Sequence, residues 1–185
     1  SIITHILTAF GLASASGLNA YIPLLIVALT ARFTHLITLG PPFDILTHDW
    51  VIGALVVLLA IETVVDKIPA ADTINDLFQT FVRPTAGAIL FAASTNVINL
   101  NPAVAVILGL ILAFSVHAVK ATARPVVTAS TAGLGNAAVS VGEDIASTVV
   151  SVLALFMPFL FVLILALLIL WLVRRRLGRA RAPAA

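Results

Sequence analysis

Residues 145–173 run for 29 positions without one charged side chain. As a helix at about 1.5 Å per residue the run reaches about 44 Å, well beyond a hydrocarbon core of about 30 Å. A soluble fold of this size leaves too much of its surface wet to hide such a segment. The run therefore belongs in a bilayer, and Pro158 inside it predicts a long span that is kinked or tilted. Trp171 and a basic tail (Arg174, Arg175, Arg176, Arg179 and Arg181) close it.

Five more apolar segments precede it, at residues 2–31, 50–65, 85–98, 103–119 and 126–141. The first carries Gly17, Asn19 and Pro23 near its middle, where a helix kinks or unwinds, so a broken helix is expected. It lacks a basic leader region and is too long for a signal-peptide core, which makes it a retained membrane segment. Because numbering starts at Ser1, an initiator Met or short leader is expected to lie before it. Gly40-Pro41-Pro42 marks the loop that follows, and Trp50 anchors the second segment at an interface. The fold class expected is an all-α polytopic integral membrane protein with about six transmembrane segments and interrupted helices. Residues 1–173 form one transmembrane domain and 174–185 a basic cytoplasmic tail. The composition agrees, at 61% hydrophobic and 10% charged over 185 residues.

The net charge of +2 is an effect of the tail: outside it, five basic residues face eight acids. That is no nucleic-acid footprint. The expected partners are the lipid bilayer and either a second copy or another membrane protein. With no cysteine, disulfides and thiolate metal sites are excluded. The positive-inside rule puts the arginine tail in the cytoplasm. Six crossings then put both termini there, together with the connections that hold Lys67, Arg83, Lys120 and Arg124.

Charge is concentrated in residues 62–84, which hold Glu62, Asp66, Lys67, Asp72, Asp76 and Arg83. Between Pro69 and Pro84, Ile74, Leu77, Phe78 and Phe81 recur at helical spacing, predicting a short amphipathic interfacial helix over 72–82. Glu62 and Asp66 are four apart, hence on one helical face; His117, Lys120 and Arg124 share a face of another helix. An unpaired charge at bilayer depth costs about 3 kcal/mol, so these two faces are expected to oppose one another. The plainer alternative is a set of interfacial charges that snorkel to water. Glu143-Asp144 sits between two apolar segments, either as a solvated turn or as a carboxylate pair beside the Gly135-Asn136 break, able to bind a cation or carry a proton. Asn19 and Asn136 stand at the two breaks, and the surrounding words (residues 14–20 and 130–137) echo one another. Paired interruptions of this kind point to transporter binding sites. No metalloprotease, nucleotide-binding or nucleophile-elbow signature is present, so no enzyme activity, cofactor or metal site is expected.

Gly17 to Pro23, Asp66-Lys-Ile-Pro69, Asp72, Gln79-Thr80, Arg83-Pro84, His117 with Lys120 and Arg124, Gly135-Asn136 and Glu143-Asp144 together resemble a bacterial membrane family called domain of unknown function 4126. The likeness runs from about residue 6 to the arginine tail. It implies a bacterial integral membrane protein and brings no activity or substrate. The functional expectation is a small transporter or channel for an ion or small solute, working through Glu62, Asp66, His117, Lys120, Arg124, Glu143, Asp144, Asn19 and Asn136. The alternatives are an accessory subunit that docks a partner, or a flippase or enzyme gripping a lipid phosphate with Lys67, Arg83, Lys120 and Arg124.

Overall fold

In the computed structural model the backbone is described for residues 1–66, 68–132 and 135–180, and side chains for all of these except 69–73, 161 and 176–180. The described chain is helical, with no strand among the described residues. Its helices are α1 (Ile2–Leu18), α2 (Tyr21–Phe33), α3 (Asp49–Val65), α4 (Pro69–Thr95), α5 (Pro102–Thr131), α6 (Gly135–Phe156) and α7 (Pro158–Ala180). Four of them (α4 to α7) contain stretches long and apolar enough to cross a membrane. Short 3-10 turns at Phe43–Thr47 and Asn96–Ile98 join α2 to α3 and α4 to α5.

The first segment is a hairpin and not a broken single crossing. Leu18 at the end of α1 meets Lys120 of α5, while Thr8 near its start bonds the Ala154 carbonyl at the far end of α6. After the break at Asn19-Ala20, α2 runs back, so that Ile37 and Leu39 beyond it line the same cavity as Thr4, Thr8 and Leu12. Asn19 makes the reversal: its side-chain oxygen accepts from the backbone N–H groups of Tyr21 (2.9 Å) and Ile22 (3.1 Å), two of the donors a helix start leaves open. At 17 and 13 residues, α1 and α2 are about 25 and 20 Å long. Ser1 therefore stands at the end of the bundle opposite the α3–α4 and α5–α6 connections.

Prolines end helices less often than expected here. The amphipathic helix over 72–82 and the apolar segment 85–98 are one helix, because α4 continues through Pro84. A mid-helix Pro costs about 3 kcal/mol. Beyond Pro84 the helix buries Ala86, Ala88, Leu90, Phe91, Ala92 and Ala93, and this packing outweighs one lost backbone bond. The amphipathic stripe itself is real: Ile74, Leu77, Phe78 and Phe81 are all exposed, facing outward. In the same way α5 passes through Pro125, and Glu143-Asp144 lies within α6 and is no inter-segment turn. The 29-residue run is divided at Met157-Pro158. Beyond that point every described side chain of α7 from Phe159 to Arg175 is exposed, and Arg175 lies over the Trp171 ring.

Helices α1, α4 and α5 meet through glycine, as membrane helices do when backbones approach closely. A Cβ on Gly17 would fall 2.5 Å from the Ala113 carbonyl oxygen, and one on Gly87 would fall 2.7 Å from that of Gly109. α6 packs on α1 at Ser147, which is fully buried and donates its hydroxyl to the Ala15 carbonyl at 3.0 Å. This close packing brings the polar faces of five helices to one end.

Candidate functional site: a buried charge cluster

All nine residues singled out in the sequence converge on the end of the bundle where α1 turns into α2, α3 leads to α4 and α5 leads to α6. Glu62 of α3 and Arg83 of α4 form the innermost pair, Oε1 to Nη2 at 3.0 Å, with side chains 2% and 0% exposed. Arg83 Nη1 donates to His117 Nδ1 at 3.0 Å. An arginine has no acceptor, so Nδ1 must be the bare nitrogen and the imidazole the neutral tautomer with its proton on Nε2. Nε2 then donates to Thr80 Oγ1 at 3.0 Å, and the Thr80 hydroxyl donates to the Asp76 carbonyl at 2.8 Å. This relay orients Arg83 and the imidazole together.

A second knot surrounds Arg124. Its Nη2 lies 3.0 Å from Glu143 Oε2 and 3.6 Å from Asp66 Oδ2, and its Nη1 lies 3.4 Å from Asp76 Oδ2. Lys120 shares Glu143, Nζ to Oε2 at 2.7 Å, and also donates to the Leu18 carbonyl at 3.3 Å. That carbonyl is one of those the end of α1 leaves without a helical partner, so an ammonium there complements the helix dipole. Asp66 takes further bonds from Asn75 (2.8 Å) and Ser140 (3.1 Å). Asn19 donates to Asp144 at 2.9 Å, tying the hairpin tip to α6. Asn136 lies at the margin, where its side-chain oxygen accepts from Thr128 at 3.0 Å.

The expected opposition of an acidic α3 face to a basic α5 face is thus present, with α4 lying between them. The sequence reading left Asp76, Gln79 and Thr80 out of the site and gave Arg83 a role only in the lipid-phosphate alternative. They fall at i, i+3, i+4 and i+7, one face of α4, opposite the outward stripe of Ile74 and Phe78. That spacing was the available signal, and it was hidden by reading Pro84 as the end of a surface helix. No group of three His, Cys, Asp or Glu side chains among the described residues is placed to hold a metal. Asp66 and Asp76 face Arg124, and the Asp72 side chain lies outside the described residues.

Residues 6–176 match the family described as Domain of unknown function (DUF4126). The chain belongs to that family. No curated protein and no solved structure matches it. The resemblance carried by the scattered motifs is therefore confirmed over nearly the whole chain, and within this DUF4126 protein Asn19, Asp66, Thr80, Arg83, His117, Lys120, Arg124, Glu143 and Asp144 of those motifs gather in the cluster.

At the other end of the bundle lies a cavity of about 240 Å³ between the mouth of the α1–α2 hairpin, α4 and α6. Thr4, His5, Thr8, Thr38 and Ser94 supply its polar lining and Leu12 reaches into it from α1. Leu12 precedes Asn19 by two helical turns, so α1 spans the distance from cavity to cluster.

The tip of the hairpin yields a first prediction. Asn19→Ala removes the cap of α2 and the bond to Asp144, and should cost about 1 kcal/mol or somewhat more. A lowered melting temperature of the purified protein in detergent checks it. Asn19→Asp, which retains the cap but sets a second carboxylate against Asp144, should be at least as damaging.

Proposed function

We propose that this protein is a small transporter for an ion or small solute, in which the α1–α2 hairpin is the moving element and the charge cluster its closed gate. The observation that carries the reading is the grip on the hairpin tip. The Leu18 carbonyl is bound by Lys120 and the Asn19 side chain is bound to Asp144, so a short interrupted helix pair ends among buried charges. Interrupted helices with polar ends at membrane depth are the general device of transporter sites. Intramembrane charges mark pathways by default. In this reading α1 and α2 re-enter from the side that bears Ser1, α3 to α7 cross, and the cluster end, where α7 finishes, faces the cytoplasm. The cavity at the opposite end is the entrance.

The test is flux in proteoliposomes under an imposed pH gradient and, separately, a potassium diffusion potential. Wild-type protein is expected to dissipate at least one of them. Lys120→Met and Glu143→Gln should each slow that flux by about tenfold or more, the factor equal to roughly 1.4 kcal/mol, while the protein stays monodisperse. A wild type silent under both gradients would sink the reading.

A second reading has its own support. The described cations of the cluster lie within 2.7 to 3.7 Å of carboxylates, the arrangement of a clasp. An accessory subunit held rigid by this clasp would show no flux and would co-purify with a membrane partner. The lipid-phosphate reading is weaker, since Arg83, Lys120 and Arg124 are buried against the protein's own acids.

A further inference from the structure

The Glu62–Arg83 pair is only half closed. Nη2 and Nε share one edge of a guanidinium and can grip both oxygens of a carboxylate at once. Here only Nη2 to Oε1 forms, and both Arg83 Nε and Glu62 Oε2 are buried with no hydrogen-bond partner. Gln79, one turn before Arg83 on α4, leaves its Oε1 buried and without a partner as well. Glu62 and Gln79 are each 2% exposed. Arg83 Nε can answer one of these two acceptors and not both, so the three orphaned groups are one donor short, a cost that a single added donor removes.

We propose that Glu62 is the proton-binding site of the cluster, taking up one exchangeable proton at Oε2 and donating it as a hydrogen bond to Gln79 Oε1, while Oε1 of Glu62 keeps accepting from Arg83. One proton then turns two unsatisfied acceptors into a donor–acceptor pair. The charged surroundings leave the choice to this carboxyl. Asp66 shares its helix, Arg83 and Asp76 face it from α4, and His117, Lys120 and Arg124 stand on α5. Tyr21 adjoins it from α2, and Glu143 and Asp144 of α6 lie beyond Lys120. Asp66 is already supplied by Asn75, Ser140 and Arg124, Glu143 by Lys120 and Arg124, and Asp144 by Asn19. Asp76 also leaves Oδ1 without a hydrogen bond, but its side chain is 21% exposed against 2% for Glu62. Glu62 has one donor and one vacant oxygen. Its part as a coupling proton rests on the transport reading; the site itself does not.

Infrared titration of the full-length protein in lipid nanodiscs, with no gradient and no solute, tests the site. The wild type is expected to show one protonated-carboxyl C=O band that disappears as the pH is raised. Glu62→Gln should lose that band; its amide still supplies an oxygen to Arg83 and an N–H to Gln79, and Asp76 at 3.7 Å still faces the guanidinium. Asp144→Asn should keep it. Gln79→Leu should move it to higher frequency, the mark of a carboxyl that has lost its acceptor. Absence of the band in the wild type, its persistence in Glu62→Gln or an unmoved band in Gln79→Leu would each overturn the proposal. Flux does not enter this measurement, so a protein that transports nothing but shows the band disposes of the transport reading alone.

Discussion

Arg83→Met should abolish most of the folded protein. Arg83 has no exposed side-chain surface, and it holds Glu62 at 3.0 Å, His117 at 3.0 Å and Asp76 at 3.7 Å. Removing one partner from a buried ion pair costs about 3–5 kcal/mol, because the other charge is left uncompensated in a poor solvent for it. Here one substitution strands a carboxylate 2% exposed and also takes the donor from His117 Nδ1. The whole stability of a domain is about 5–15 kcal/mol, so a loss on this scale is most of the margin. Glu62→Leu placed on top of Arg83→Met should restore much of it, since an apolar pair of similar volume needs no partner. Arg83→Lys should rescue poorly, for an ammonium lacks the fork that reaches Glu62 and His117 together. Thermal melts of the four proteins in one detergent decide the matter. If the double variant melts no higher than Arg83→Met, packing of the Arg83 stem, and not its charge, is what the core requires.

The membrane class and the residues of the cluster were legible in the sequence for the same reason. Charge is costly in apolar surroundings, so each charged residue inside an apolar run had to answer to another. Glu62, Asp66, Lys120 and Arg124 announced themselves by spacing alone. The helix ends were not legible, because Pro84 and Pro125 are local signals and the packing that overrides them is tertiary. Reading Pro84 as a terminus separated Arg83 from the membrane and so concealed the residue at the centre of the site. The hairpin was hidden for a related reason. Asn19 with Ala20 reads equally as a kink or a reversal, and the choice falls to partners far away in sequence, Lys120 and Asp144. Glu143-Asp144 illustrates the same limit. Two adjacent acids look like a turn until Lys120, Arg124 and Asn19 are seen to receive them.

Gly109→Leu should be as damaging as the loss of Arg83, although it touches no charge. A Cβ there would stand 2.7 Å from Phe91 Cβ and 2.8 Å from the Ala88 Cα, and neither neighbour is the loose end of a flexible side chain. Gly87→Leu meets the same obstacle from the α4 side, with the Gly109 carbonyl at 2.7 Å and Ser16 Oγ at 2.9 Å. Adding methylenes to a tight contact costs about 1–3 kcal/mol even where side chains can shift. Here backbone must move, so the cost belongs at or above the top of that range. Gly142 is the control: nothing lies within 4 Å of a Cβ placed on it, and Gly142→Ala should be neutral or more stable by up to about 1 kcal/mol from helix propensity. The effect also reaches the site. Gly87 lies one turn beyond Arg83 on α4, and Gly109 lies two turns before His117 on α5. Helices pushed apart by an added side chain would draw Arg83 away from His117, which the bond at 3.0 Å cannot follow. On the transport proposed above, any Gly109 variant that survives purification, Gly109→Ala being the mildest, should therefore lose flux as well as stability. A Gly109→Ala protein that melts lower yet keeps the wild-type flux would show that the Arg83–His117 contact is dispensable for that proposed activity.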